Sequence, residues 1–203
     1  MAIEEIEMTF DNGPVDRKVE SLVAEATRQQ DEFYGEGLGL RYPKYVPSDP
    51  RVVCRAIKFL KEGGHLQGDV FCEWGCGFAV ASGIASLLGM KSYGIEIEDE
   101  LYDRATRLME HLELPVEIIQ SDYLPYGFDE IEEIGGKELV ITRHQSIAPE
   151  YGDLNPEDVD LFFVYPWPDQ EEMMIDLFSA VSEKGAVLLM YQGEGEISAF
   201  LND

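Results

Sequence analysis

Two short runs in this chain have the residue types and spacing of a ligand-binding turn. Val70-Phe71-Cys72 is apolar and ends in an acid, Glu73, and a Gly-x-Gly turn follows at Gly75 and Gly77. Ala79 to Leu88 supplies a small-residue helix, and a second run, Ser92 to Ile95, ends at another acid, Glu96. Strand, glycine turn, helix and strand with a terminal carboxylate is the pattern of a nucleotide-type cofactor site on a parallel sheet. Glycines at 75 and 77 let backbone approach a ligand closely. A carboxylate at Glu96 can accept charge-assisted bonds from two vicinal hydroxyls. Further on, Val116 to Gln120 ends at Ser121-Asp122, and an apolar run over 159–165 ends at Pro166-Trp167-Pro168. Glu73, Glu96, Asp122 and Pro166-Trp167 all fall at carboxyl ends of expected strands, where open α/β sheets bind their ligands.

The elements that must hold these ends read as alternating strands and helices. Residues 1–13 alternate acidic and apolar before Asn12-Gly13-Pro14, after which Val15, Val19, Leu22, Val23 and Ala26 mark one face of a helix reaching Tyr34-Gly35. Residues 1–40 read as an N-terminal helical appendage that packs on the core domain, 41–203, or covers its cleft. Tyr42 to Pro50 is a proline-stiffened connector into a helix capped by Ser48 or Asp49, with Pro50 in its first turn. Helices follow from Asp99 to about Glu113 and from Asp169 to Ser182, with strands at Val116–Gln120, Val159–Tyr165 and Ala186–Tyr191. A short helix at 129–134 and a strand at 138–142 are also expected. The result is a Rossmann-like, doubly wound, mostly parallel α/β sheet with helices on both faces.

Composition narrows the partners. Asp and Glu number 41 against 15 Lys and Arg, a formal charge of −26. Such a surface repels phosphate backbones, which argues against nucleic acid. It suits a basic protein, and equally serves plain solubility or a salty environment. Cys54, Cys72 and Cys76 form no disulfide framework and the three His are scattered, so a reducing compartment and no metal site are expected. No signal-peptide pattern or apolar run of membrane-spanning length is present, which gives a cytoplasmic expectation.

The turn itself chooses among cofactors. The dinucleotide fingerprint asks for a third glycine where this chain has Val80. An anion at Glu73 opposes a pyrophosphate and suits a ligand carrying an ammonium and a sulfonium. No P-loop pattern occurs. Here the chain resembles the class I S-adenosylmethionine-dependent methyltransferases. Their first motif, an acid followed by x-Gly-x-Gly-x-Gly, stands as Glu73-Trp74-Gly75-Cys76-Gly77-Phe78-Ala79, with Ala in the last glycine's place. The resemblance covers about residues 45–195. It implies S-adenosylmethionine as cofactor, bound by Tyr45, Glu73, Trp74, Gly75, Cys76, Gly77, Glu96, Ile97, Asp122 and Tyr123. Within that set it puts Glu96 on the ribose hydroxyls and Asp122 near the adenine, and it places Tyr165, Pro166 and Trp167 on the acceptor side. Tyr45-Val46-Pro47-Ser48 resembles a segment of some small protein-lysine methyltransferases that lies over the cofactor.

The acceptor is less legible. Family enzymes that methylate exocyclic amines carry [Asn/Asp]-Pro-Pro-[Tyr/Phe] after the fourth strand, and Tyr165-Pro166-Trp167-Pro168 lacks the leading amide or acid. Tyr165 or Trp167 either walls a target ammonium or packs, and Trp74 either lines the cofactor or packs. No catalytic base is identifiable. Residues 192–203 are too short for a helix plus the family's usual C-terminal hairpin, so a shortened sheet is expected, or one whose edge the 138–142 strand occupies. An exposed edge would invite dimerisation, and a monomer or a homodimer is expected. The expected function is methyl transfer to an unidentified acceptor, a protein lysine being the candidate. The alternatives are a non-catalytic cofactor-binding or scaffold protein and an NAD-dependent oxidoreductase.

Overall fold

A computed structural model of the chain describes residues 2–10, 13–124 and 151–203. The expected helix at 129–134 and strand at 138–142 lie outside them. The first strand of the glycine-turn unit is β2 (Val70–Trp74), followed by helix α4 (Val80–Leu87) and β3 (Lys91–Glu96). Ahead of it come β1 (Ile3–Ile6), α1 (Arg17–Gly35), α2 (Leu38–Arg41) and α3 (Pro50–Glu62). After it come α5 (Asp99–His111), β4 (Val116–Gln120), β5 (Leu161–Val164), α6 (Glu171–Val181), β6 (Val187–Gly193) and β7 (Glu196–Asn202).

The strands form one seven-stranded sheet in the order β1-β7-β6-β5-β2-β3-β4. β4, β3, β2, β5 and β6 run parallel. The order of connection reverses between β2 and β5, which puts the switch point at the carboxyl ends of those two strands.

The sheet is not shortened, which overturns that expectation. β6 turns directly into β7 through Gly193, Glu194 and Gly195, all at positive φ, and the two strands pair antiparallel. No helix stands between them, so residues 192–203 suffice for the C-terminal hairpin. The remaining edge is filled from the other end of the chain: β1 pairs antiparallel with β7, Ile3 opposite Asn202 and Ile6 opposite Ala199. The N-terminal segment is therefore not purely helical. It opens with a strand of the sheet.

Alternation along the central strands divides the core into two layers. Phe71, Leu161, Phe163, Val187 and Leu189 face α1, α3, α4 and α5. Cys72, Trp74, Phe162, Leu188 and Met190 face α6 and the segment around Tyr151 and Leu154. Buried on both faces, β5 reads Leu-Phe-Phe-Val without a polar position, as an interior parallel strand must. Helix starts follow local chemistry. Asp49 caps α3 by accepting from the N–H groups of Arg51 and Val52, with Pro50 in the first turn. Asp16 caps α1 by accepting from Lys18 N–H at 2.8 Å, so that helix begins at Arg17, past Pro14. No helix among the described residues is long and apolar enough to cross a membrane.

Candidate functional site

The carboxyl ends of β2, β3 and β5 open into a cavity of about 750 Å³, ample for a drug-sized ligand. It is lined by Tyr45, Glu73, Trp74, Gly75, Cys76, Glu96, Ile97, Asp122, Tyr123, Tyr165, Pro166 and Trp167. Every site residue expected from the sequence borders it except Gly77.

Gly77 serves the turn from behind. Its N–H donates to Glu96 Oε2 at 2.8 Å. Its α-carbon lies against the Tyr45 ring, so closely that a methyl there would come within 2.4 Å of a ring carbon. Gly75, at φ +67°, is the opposite case: a methyl on it would meet nothing within 4 Å. The turn alternates left-handed residues at Gly75, Gly77 and Ala79, the last at φ 54° although it carries a Cβ. The position held by the family's final glycine thus keeps a glycine-like conformation.

The two acids of the turn are held differently. Glu96 is buried, and its carboxylate accepts three backbone N–H bonds. Oε1 takes Ile97 and Glu98 at 2.8 and 2.9 Å, and Oε2 takes Gly77. With about two lone pairs per oxygen, one site remains on Oε2 for a ligand hydroxyl. Burial raises the Glu96 pKa, against the pull of those three bonds. Glu73 is buried on the α4 side of β2, where its Oε2 accepts from Ser82 N–H at 2.8 Å and from Ser82 Oγ–H at 2.6 Å. Its Oε1 makes no hydrogen bond among the described residues. Burial pushes the Glu73 pKa up to about 8, opposed by the Ser82 bonds and assisted by the neighbouring Glu96 charge.

The connector closes one side. Tyr45 packs on Phe78 with ring centroids 5.2 Å apart, and its hydroxyl accepts from Gln30 Nε2 at 2.7 Å. Burial raises its phenol pKa. Asp122 Oδ1 accepts from Leu124 N–H at 3.0 Å, which fixes the loop after β4. Tyr123 stacks on Trp74 at 6.1 Å, and Trp74 also packs on Phe162 at 4.8 Å, so the indole both lines the cavity and belongs to the core. On the far side Tyr165 meets Tyr191 edge-on at 4.8 Å, while Trp167 has no ring partner among the described residues.

Several lining residues carry no local signal in the sequence. Gln30, Arg41, Lys44, Gln170 and Met174 also border the cavity. Gln30 reaches it only because α1 lies beside the connector, and Ser82 reaches Glu73 only through the strand–turn–helix reversal. Among the described residues no cluster of His, Cys, Asp and Glu is arranged to hold a metal ion.

No protein-family model and no curated protein matches the sequence. Among solved structures, an RNA methyltransferase from Salinibacter ruber in complex with S-adenosyl-L-homocysteine is similar at a TM-score of 0.52 and 15% identity, over 77% of this chain and 92% of that protein. An S-adenosylmethionine-dependent methyltransferase from Thiobacillus denitrificans, also in complex with S-adenosyl-L-homocysteine, gives 0.44 and 16% over 75% of this chain and 53% of that one. Another from Clostridium acetobutylicum gives 0.45 and 11%, over 77% and 56%. This chain spans little more than half of each of the latter two. Identities this low speak to architecture, and the first of the three carries it: the chain has the fold of the class I S-adenosylmethionine-dependent methyltransferases.

Proposed function

We propose that this chain is an S-adenosylmethionine-dependent methyltransferase whose acceptor is a lysine of a basic protein. The observation that carries the reading is the convergence of Glu73, Gly75, Glu96 and Asp122 on one cavity at the switch point of this fold. The donor set suits the cofactor. Gly75 presents bare backbone to open space, and Glu96 keeps one lone pair for a hydroxyl. Glu73, which lines the cavity, keeps a carboxyl oxygen with no partner among the described residues, and a bound cation would favour its ionised form. Asp122 and Tyr123 would border the adenine, and Cys76 and Ile97 would add backbone contacts. Tyr45 and Trp74 would close the two faces.

When bound, the cofactor supplies an electrophilic methyl group on a sulfonium. The chain's own work is positioning: rigid backbone and buried carboxyl groups fix one reactant, and the apolar surface of Tyr165, Pro166 and Trp167 receives the other. A lysine must arrive neutral to attack. Apolar surroundings at Tyr165 and Trp167 lower an ammonium pKa by desolvation and ease that proton loss. One ground for a non-catalytic protein, a truncated sheet, is gone.

Isothermal titration with S-adenosylmethionine and S-adenosylhomocysteine tests the cofactor. Saturable binding is expected, and none at millimolar ligand would sink the reading. Transfer of labelled methyl to lysine-containing peptides, absent with norleucine in place of lysine, tests the acceptor.

A further inference from the structure

The described surface carries four exposed large apolar side chains: Tyr34 (44% exposed), Leu40 (92%), Val46 (50%) and Trp167 (41%). They are not scattered. Val46 and Trp167 line the cavity. Tyr34 stacks on Tyr45 with ring centroids 6.4 Å apart and planes 23° from parallel. Gly39, next to Leu40, lies so near Tyr34 that a methyl there would come within 2.5 Å of its ring. Tyr34, Tyr45 and Val46 therefore carry a collar of apolar surface to the cavity mouth, with Leu40 standing exposed next to Gly39 at its outer end and Trp167 lining the same cavity. Single exposed apolar residues need no account, but a cluster at the mouth of a cavity marks a binding surface.

The charged lining of that opening is acidic on balance. Glu98 and Asp122 line it with the buried Glu73 and Glu96, against the cations Arg41 and Lys44, within a chain of formal charge −26. A polyanion would be repelled from such a mouth, and two copies of the chain meeting there would set like charges face to face. A small acceptor would fill the cavity without touching Leu40.

We infer that the collar docks an extended segment of a basic protein, with an apolar side chain of the partner seated among Leu40, Val46 and Trp167 while its lysine enters the cavity. The inference rests on the methyltransferase reading above. It adds a requirement: the acceptor lysine has an apolar neighbour within a few residues, and the affinity for the segment resides largely outside the cavity.

Fluorescence anisotropy of the full chain, with and without S-adenosylhomocysteine, tests this with three pools of short labelled peptides. Each pool has a central lysine and flanking arginines. The remaining positions are Leu, Val or Phe in the first pool, Ser or Gly in the second, and Glu in the third. The first pool should bind about tenfold tighter than the second, and the third weakest. Leu40→Ser, outside the cavity lining, should weaken the first pool about fivefold and leave S-adenosylhomocysteine affinity by titration unchanged. Equal binding of the first two pools, indifference to Leu40→Ser, competition by oligouridylate, or a dimer dissolved by Leu40→Ser would each overturn the collar. Failure to bind S-adenosylhomocysteine would instead strike the methyltransferase reading, so the two failures are distinguishable.

Discussion

On the β2–β3 side of the cavity, Glu96 is tied to three backbone N–H groups, Glu73 is doubly bonded to Ser82, and the glycine turn is fixed between them. Across the opening, Tyr165 has one edge-on neighbour in Tyr191, and Trp167 stands 41% exposed with no ring partner among the described residues. One side is preorganised around buried charge and hydrogen bonds. The other is aromatic surface held by packing, with no side-chain hydrogen bond from Tyr165 or Trp167 among the described residues. A site of fixed geometry fits a ligand that is always the same, and an adaptable surface fits one presented on a partner. The difference between the sides is therefore a physical argument that the cofactor and acceptor halves are those assigned above.

The largest expected effect attacks the buried-charge side. Glu73 has a folded pKa of about 8, raised chiefly by burial. An acid whose pKa rises on folding favours the folded state while protonated, so its contribution is intact below the ordinary carboxylate value and is lost as pH climbs through about 8. Glu96, also raised, acts in the same direction. The neighbouring Cys72 and Cys76 thiols and the Tyr45 phenol are pushed upward and stay neutral across this window. Glu73→Gln keeps an oxygen for both Ser82 donors and removes the titration. Relative to wild type it should gain on the order of 4 kcal/mol in urea-unfolding stability between pH 5 and pH 9. Parallel pH profiles would show that Glu73 ionises freely, and the contrast between the sides would lose its main support.

A paired substitution sharpens the same side. Gly77→Ala combines a left-handed backbone with a methyl driven to 2.4 Å from the Tyr45 ring, and should cost about 3 kcal/mol of stability. Gly75→Ala carries only the conformational cost, about 1–2 kcal/mol, because its methyl enters open space. Titration should then show S-adenosylhomocysteine binding lost in Gly75→Ala despite its milder unfolding penalty. Equal unfolding costs would mean that Tyr45 does not pack on the turn.

How much of this was legible in the sequence follows the same division. β2 and β5 announce themselves because interior parallel strands are apolar runs, and β2, β3 and β4 each end where a polar residue can face ligand. Asp49 and Pro50 likewise specify a helix start locally. β1 does not, because Ile-Glu-Glu-Ile becomes a strand only through pairing with β7, at the other end of the chain. Its Glu4 and Glu5 suit an edge that must not attract further strands. β7 was hidden by the expectation of an intervening helix, although glycines at 193 and 195 permit a tight reversal. Ser82 behind Glu73 and Gln30 on Tyr45 are contacts nine and fifteen residues apart, set by how each helix lies on the strand or connector beside it. The collar had no signature either, since an exposed Leu40 looks like any other apolar residue until its surroundings are seen.

The smallest effect on stability tests the looser side. Trp167 keeps 41% of its surface in water and has no ring partner among the described residues, so Trp167→Ala gives up only part of a side chain's burial and should cost at most about 1 kcal/mol. Chemical denaturation should find the variant within that margin of wild type. Titration should find S-adenosylhomocysteine affinity unchanged, because the buried carboxylates and the glycine turn are untouched. The loss should appear only with acceptor present, as binding of apolar-flanked lysine peptides weakened about fivefold. If Trp167→Ala instead costs more than about 1 kcal/mol in unfolding, the indole is part of the core. The acceptor side would then be as rigid as the cofactor side, and the aromatic surface would have no claim to adapt to a partner.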